Sequence, residues 1–398
     1  MPDNQAARQG TIETTPPAPG AAPRGRDLRA DVCRGLALWM IMINHMPGNG
    51  LTVLTLRHFA LADAAEAFVL LAGYAAAFAF AGPADRKGMP FAAAAVLRRI
   101  GVLYVAHIFL LVLFTAQVGA SARALDRAFY IDELALDPLG EDPYSTLTQA
   151  LMLRFQPHFL DILPLYIVLL ALLIPALAIR RYGWALLGVS VAVWLFARWA
   201  DVNFLLLSGE GWQFNPLAWQ LLFFCGFLIG QAVRGQPGPG LPPRKAWLTG
   251  LAVLVVAAGV AWQLSWQFRP DWGEELSGLL AALLVQVDKT SLHPARLATI
   301  LALAYLVGHY LPRDWPPLRG PLLRPFLQMG QHSLPVFCGG ILVSFLGRLA
   351  LEAEDGPLSL AAVNILAFLL LAGIAAVAAW YDRQERGTPG LPRAAEVR

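Results

Sequence analysis

Residues 26–74 read RDLRADVCRGLALWMIMINHMPGNGLTVLTLRHFALADAAEAFVLLAGY, and they carry most of the polar side chains that a membrane helix would not hold without a reason. The run over 33–54 is apolar and long enough to cross a bilayer as a helix. Arg34 lies at the start of this run and His45 lies inside it. Because polar groups are costly at membrane depth, we expect these side chains to face a cavity or a partner inside the protein.

The spacing of Arg34 and His45 predicts how the two side chains are arranged. They are eleven positions apart, which in an α-helix corresponds to about 16 Å along the axis and about three full turns. Both side chains, together with Asp27 and Asp31, therefore fall on one face of the helix. We expect a cation near one membrane surface and an imidazole near the midplane of the bilayer.

The composition indicates an integral membrane protein of the all-α class. Of the 398 residues, 57% are hydrophobic and only 14% are charged, which is too apolar for a soluble domain. The net charge of +3 gives no indication of nucleic acid binding. Cys33, Cys225 and Cys338 lack the spacing of a metal site, so no bound metal is expected. The sequence also lacks the motifs of ATPases, metalloproteases and serine hydrolases.

The hydropathy pattern predicts a polytopic membrane protein, a bundle of about ten transmembrane helices. Gly and Pro punctuate the connections between the helices. With the N-terminus inside, 21 of the 30 Lys and Arg residues lie on the inner side, which places both termini in the cytoplasm. The predicted spans lie near 33–54, 63–81, 94–118, 159–180, 184–206, 216–234, 246–267, 295–312, 326–349 and 358–381.

One transmembrane domain over 31–382 is expected between two tails. Residues 1–30 have no apolar signal segment and are expected to form a disordered cytoplasmic tail. Residues 383–398 are expected to form a second cytoplasmic tail. In the long outer connection, the stretch 276–287 is apolar enough to form a short re-entrant or interfacial helix. The sequence shows no internal repeat, which disfavours many transporter folds.

His45 is the first candidate for chemistry, because a histidine that titrates near neutrality can act as a general base. Glu66, in the first turn of the second span, is placed to orient His45 or to assist proton transfer, whereas Asp63 is expected to cap that helix. Arg34 suits an anionic phosphate or carboxylate. The alternatives are a histidine that only packs between helices and an arginine that only anchors its helix at the membrane surface.

Three stretches on the outer side carry residues that suit a polar acceptor or a carboxylate. RFQPHFLDILPLYI offers an aspartate that equally suits a helix cap. WQFNPLAWQ combines tryptophans, which stack on sugar rings or form the aromatic belt of the membrane interface, with amides that hydrogen-bond hydroxyl groups. DKTSLHPAR gathers several cations that attract a carboxylate or simply form ion pairs. The candidates are Asp161, Trp212, Asn215, Trp219, Gln220, Asp288, Lys289, His293 and Arg296.

The residues together resemble a known family. Arg34 and His45, with ten residues between them, look like the Arg/Lys–ten–His signature of the acyltransferase 3 superfamily of membrane enzymes. The blocks DVCRGLALWMIMINHMPGN, DAAEAFVLLAGY, LPLYIVLL, NPLAWQLLFFCGF, DKTSLHPARLATILALAYL and GQHSLPVF look like those of the OpgC branch of that superfamily. The resemblance covers about 30 to 380, nearly the whole chain.

This resemblance implies a bacterial inner-membrane enzyme that succinylates osmoregulated periplasmic glucans. It implies cytoplasmic succinyl-CoA as the donor, a glucan hydroxyl as the acceptor and no permanently bound cofactor. Membrane lipids surround such an enzyme, and a protein of glucan synthesis is a further conceivable partner. The superfamily suggests His45 as the catalytic residue, and Arg34 as a donor-binding or helix-positioning residue. With Arg34 we group further residues of the inner side as donor-binding candidates, namely Asp31, Arg98, Arg99 and His332.

Two other functions remain open at this point. A related enzyme would move acetyl groups onto another polysaccharide, and a cation near His45 would favour succinyl over acetyl. Lys289 and Arg296 supply that cation only if they fold inwards. A transporter for a glucan or a small anion would instead use His45 and Glu66 to relay protons. For the enzyme, we expect a polar channel across the bundle with chemistry near the middle.

Overall fold

A computed structural model describes residues 27–268, 287–354 and 356–387 of the chain. The described part of the protein is all-helical, with 76% of the described residues in helices. The helices, in chain order, are α1 (Leu28–Asn44), α2 (Leu56–Phe59), α3 (Ala64–Ala76), α4 (Gly82–Lys87), α5 (Met89–Leu125), α6 (Phe129–Glu133), α7 (Pro138–Glu141), α8 (Pro143–Leu151), α9 (Ile162–Ala178), α10 (Gly183–Trp199), α11 (Pro216–Val233), α12 (Ala246–Phe268), α13 (Pro294–Tyr310), α14 (Arg324–Gln331), α15 (Ser333–Ala353) and α16 (Pro357–Gly387).

Six helices in the described part of the chain are long and apolar enough to cross a membrane. They are α5, α11, α12, α15, α16 and the continuous helix Ala64–Lys87, in which a π-helical segment, Ala77–Ala81, joins α3 to α4. α9 and α10 are apolar but shorter, with 17 residues each. The structure therefore confirms a helical membrane protein. Each of the ten predicted spans overlaps a helix, but length and hydropathy support six spans within the described ranges, so the predicted count of ten is not confirmed.

The first predicted span is wrong in its second half. α1 ends at Asn44, and His45 is the residue that caps it. Pro47, which has no backbone N–H to donate, and Gly48, which has a φ of 79°, then turn the chain away from the helix axis. The sequence predicted His45 inside a membrane helix, whereas the structure places it at the end of one.

The ninth predicted span is divided into two helices. α14 ends at Gln331, and α15 begins at Ser333 after His332, whose ψ of 47° breaks the helical hydrogen bonding. Pro335 falls in the first turn of α15, where its missing N–H leaves no intrahelical acceptor unpaired.

α1 lies at the centre of the helix packing, where it contacts α3, α14 and α15. Its contact with α14 is close because Gly35 faces the Phe326 carbonyl and Gly330 faces the Asp31 carbonyl, with no space for a Cβ atom at either glycine. α3 approaches α11 in the same way through Gly73 and Gly226. Small residues at facing positions let the backbones of membrane helices approach closely.

Three expectations from the sequence fall wholly or mostly outside the described residues. These are the first tail over 1–26, the re-entrant segment over 276–286 and the end of the second tail over 388–398. Within the described part, α1 begins at Leu28 and α16 continues to Gly387, so helix extends slightly beyond both predicted domain boundaries.

The glycine contact between α3 and α11 gives a direct test of the packing. We expect Gly226→Ala to lower the midpoint of thermal unfolding in detergent, because its Cβ would collide with the Leu70 carbonyl oxygen of α3. Such overpacking costs about 1–3 kcal/mol. Gly119→Ala in α5 is the matched control, since nothing lies within 4 Å of the added Cβ. It should raise the midpoint, as replacing a helical glycine with alanine gains roughly 0.5–1 kcal/mol. Equal effects of the two substitutions would contradict the packing described for α3 and α11.

Candidate functional site

A cavity of about 940 Å³ opens at the end of the bundle where α1 terminates. We call it the His45 cavity. Its inner part is formed by partly buried side chains, and its mouth by exposed ones such as Glu141 and Glu210. The inner residues include Asn44, His45, Asp63, Phe159, Asp161, Lys289 and Arg296. Residues far apart in sequence thus share one wall.

His45 is held at the end of α1 by its backbone and by one aromatic contact. Its N–H lies 3.2 Å from the carbonyl oxygens of both Ile41 and Met42. The imidazole packs on the ring of Phe159, with the centroids 4.3 Å apart and the planes at 38°. The buried Nδ1 atom has no hydrogen-bond partner among the described residues. The imidazole is therefore packed against an aromatic ring, and no carboxylate of the described residues forms a hydrogen bond with its Nδ1 atom.

Phe159 has an unusual backbone conformation for a bulky residue. Its φ of 74° lies in the left-handed region, where a residue with a Cβ is strained by on the order of 1–3 kcal/mol. Leu153, in the same connection between α8 and α9, also has a positive φ, of 60°. Strained residues of this kind persist where the surrounding structure imposes them, and they cluster at functional sites.

A polar network joins the end of α1 to the start of α3 and to Lys289. The Asn44 amide donates to Asp63 Oδ1 at 3.1 Å, and Lys289 Nζ donates to Asp63 Oδ2 at 3.1 Å. Asp63 also caps α3, as the sequence predicted, by accepting the Ala64 N–H at 2.6 Å. Lys289 is therefore turned inwards, to the wall that His45 shares.

Glu66 is completely buried and serves Arg296 rather than His45. Its Oε1 accepts from Arg296 Nε at 2.6 Å, and its Oε2 accepts the Asp63 N–H at 2.9 Å in a capping box. No hydrogen bond between Glu66 and His45 is present in the described structure. The carboxylate thus holds the second inward-turned cation at the cavity wall.

The aromatic and amide residues of the WQFNPLAWQ stretch support the cavity from behind. The Trp219 indole donates to the carbonyl oxygens of Lys289 and Thr290, each at 3.1 Å. Asn215 caps α11, and its N–H donates to the Thr290 carbonyl at 3.1 Å. Gln220 donates to Ser190 of α10, and Trp212 is buried against Phe204. These four candidates are buried and do not line the cavity.

Asp288 and His293 shape the turn that carries Lys289. The Asp288 carboxylate accepts the Thr290 and Ser291 N–H groups, each at 2.8 Å. His293 caps α13 by accepting the Ala295 N–H at its Nδ1 atom. Burial lowers the pKa of His293, and the nearby Arg198 lowers it further, which keeps the imidazole neutral and able to accept. Both residues act on the backbone of the turn.

The predicted donor-binding residues are distributed over other parts of the bundle. Arg34 donates to the Leu71 carbonyl of α3 at 3.0 Å and to the Gly330 carbonyl of α14 at 3.4 Å, and it lies 3.6 Å from Asp31. His332 lies 3.4 Å from Asp382 of α16. Arg98 is exposed and Arg99 partly exposed on α5. Arg34 therefore bridges three helices, and it is 11% exposed.

A smaller cavity of about 140 Å³ lies near the start of α1, where Asp27, Arg29, Tyr74 and Arg313 contribute to its wall. Tyr74 donates to Asp27 at 3.1 Å. This cavity and the His45 cavity have no lining residue in common. Among the described residues these are two separate cavities, and a polar channel across the bundle stays a prediction.

Several residues of the His45 cavity were not singled out from the sequence. Asn44 carried a signal, because it is a polar residue beside His45 in an apolar run. Nothing in the sequence indicated a site at Phe159, since a phenylalanine in an apolar block predicts only packing. Gln263 of α12 reaches the cavity by donating to the Arg57 carbonyl at 2.8 Å, a contact that depends on tertiary structure alone.

Comparison with known proteins agrees with this architecture. A family model described as OpgC protein matches residues 26–383, nearly the whole chain. No curated protein and no solved structure matches the chain. Because the family model extends from the start of α1 into α16, it includes every residue of the His45 cavity. The chain belongs to the OpgC family, which identifies it as a membrane-associated acyltransferase of the glucan-modifying kind.

Proposed function

We propose that the protein is a transmembrane O-acyltransferase that moves a succinyl group from cytoplasmic succinyl-CoA to hydroxyl groups of a periplasmic glucan. One observation carries the proposal: His45 faces the same cavity as two inward-turned cations, Lys289 and Arg296. A base beside two cations suits a reaction in which a hydroxyl loses a proton while an acyl group bearing a carboxylate is held in place. The proposed location is the bacterial inner membrane, with the His45 cavity open to the periplasm.

The size and lining of the cavity support a sugar acceptor. Its volume of about 940 Å³ lies within the range of roughly 300–1,000 Å³ that is usual for ligand pockets. Side-chain amides that hydrogen-bond hydroxyl groups line it, namely Asn44, Gln156, Gln213 and Gln263. Of the acceptor candidates, Asp161 also lines it and is placed to accept a hydrogen bond from a sugar hydroxyl.

The proposed chemistry is direct transfer with His45 as general base. The imidazole takes the proton from the acceptor hydroxyl as its oxygen attacks the thioester carbonyl. The new C–O bond forms, the C–S bond breaks, and the proton passes from His45 to the departing CoA thiolate. An acyl-histidine intermediate is the alternative route.

The two cations are proposed to select the succinyl group. Lys289 is paired with Asp63, and Arg296 with Glu66. Lys289 keeps 30% of its side chain exposed, so its ammonium group can also donate to the carboxylate of a succinyl group. An acetyl group has no charge to place there.

The remaining candidates take proposed roles that follow their positions. Trp219 and Asn215 hold the backbone that carries Lys289, so they would affect the acceptor or acyl site indirectly. Donor binding by Arg34, Asp31, Arg98, Arg99 and His332 stays a prediction. CoA would enter from the side where α1 begins, near the smaller cavity, and its thioester would have to reach His45 at the other end of α1.

We expect His45→Ala to abolish acyl transfer, because no other described base occupies its position. The assay uses purified protein in lipid vesicles with labelled succinyl-CoA or acetyl-CoA and a periplasmic-type glucan. The loss should be at least about 100-fold, the lower range for removal of a general base. His309→Ala is the control, since His309 lies at the far end of α13, where it contacts the Pro242 carbonyl.

Acyl transfer and flux, both measured in these vesicles, distinguish the proposal from its alternatives. Acetyl transfer without succinyl transfer would retain the enzyme class but change the donor. An absence of transfer with either donor, combined with glucan or anion flux that depends on a gradient, would replace the enzyme with a transporter.

We expect Lys289→Met to lower the preference for succinyl-CoA over acetyl-CoA by about tenfold or more, because a hydrogen bond to a charged group contributes about 1.5–3 kcal/mol. Competition between the two labelled donors gives this ratio directly. Lys289→Arg keeps the charge and should keep most of the preference. If Lys289→Met slowed both donors equally, selection of the carboxylate by Lys289 would be refuted.

A further inference from the structure

Phe159 combines two features that packing alone does not explain. Its ring lies against His45, with the centroids 4.3 Å apart, and its backbone has a φ of 74°. Glycine would adopt this conformation without strain. Because the phenylalanine is only partly buried, burial of its ring contributes less to stability than that of a core residue.

In the part of the chain that the structure describes, no carboxylate forms a hydrogen bond with the Nδ1 atom of His45. Glu66 is engaged by Arg296 and the Asp63 backbone. Asp63 lies near His45, but its carboxylate is shared by Asn44, Lys289 and the Ala64 N–H. Lys289 and Arg57, also near His45, are cations that oppose a positive imidazole. Among the described residues, the aromatic side chain in contact with the imidazole is that of Phe159.

We propose that Phe159 is a positioning residue for His45. Its ring fixes the plane of the imidazole so that the base points at the acceptor hydroxyl. Its π face also stabilises the imidazolium that forms when His45 takes the proton, since a cation within about 6 Å of an aromatic centroid is attracted to it. The inference rests on the proposed acyl transfer and adds to it the residue that orients the base.

Two substitutions separate this role from a role in stability. Phe159→Ala and Phe159→Gly both remove the ring, but only glycine relieves the strained φ. We expect both variants to lose about tenfold in kcat, with the KM for succinyl-CoA little changed. The glycine variant should unfold at a higher temperature than the alanine variant. Phe159→Tyr keeps the aromatic face and should keep most of kcat.

Leu153 provides the matched control. It has a φ of 60° in the same connection and is not part of the cavity wall. Leu153→Ala and Leu153→Gly should differ in thermal stability in the same direction while both keep wild-type kcat. This control shows whether strain in the connection, rather than the aromatic ring, governs the rate.

Three results would overturn the inference. One is wild-type kcat in Phe159→Ala, and another is recovery of kcat in Phe159→Gly in proportion to its recovered stability. The third is an equal loss of kcat in the Leu153 pair. Absence of transfer by the wild-type protein would instead remove the proposed function and this inference together, so the two failures are distinguishable.

Discussion

The buried carboxylate of Glu66 imposes the constraint on which the site depends. An ionised group with no exposed surface needs a partner, and removing one member of such a pair typically costs about 3–5 kcal/mol. Arg296 is that partner, so the start of α13 must lie against the start of α3. The same juxtaposition brings Lys289 to Asp63 and places both cations on the wall of the cavity that His45 lines. One electrostatic requirement therefore sets the geometry of the cavity wall.

Around this pair, the residues that pack the helices together are different from the residues that line the cavity. Close glycine contacts hold α1 to α14 and α3 to α11, which gives His45 and Glu66 rigid supports. Trp219 and Asn215 of α11 fix the backbone of the turn that carries Lys289. The groups that face the cavity come instead from helix ends and connections. Rigid helices thus position residues whose own backbone is free to adopt special conformations such as that of Phe159.

The sequence predicted the class of fold but not the shape of the cavity, and the catalytic role of His45 stays a prediction. Apolar runs predicted a helical membrane protein, and the family followed from the resemblance of several sequence blocks together with the Arg34–His45 spacing. Apolar content alone predicts a helix up to residue 54, because it gives no weight to Pro47 and Gly48, which end the helix near Asn44. The inward turn of Lys289 was not predictable, since it depends on a pairing with Asp63. Trp219 and Asn215 were assigned to sugar binding because composition does not distinguish a stacking surface from a buried hydrogen-bond donor.

The pairing of α3 with the start of α13 also affects how the protein is made. Asp63 and Lys289 are 226 residues apart in sequence, and Glu66 and Arg296 are 230 apart. A nascent chain that has inserted its first helices holds His45 but not Lys289 or Arg296. The lining of the cavity is complete only after synthesis has passed Arg296. The part of the wall that holds Lys289 and Arg296 is therefore assembled last, when the late helices dock.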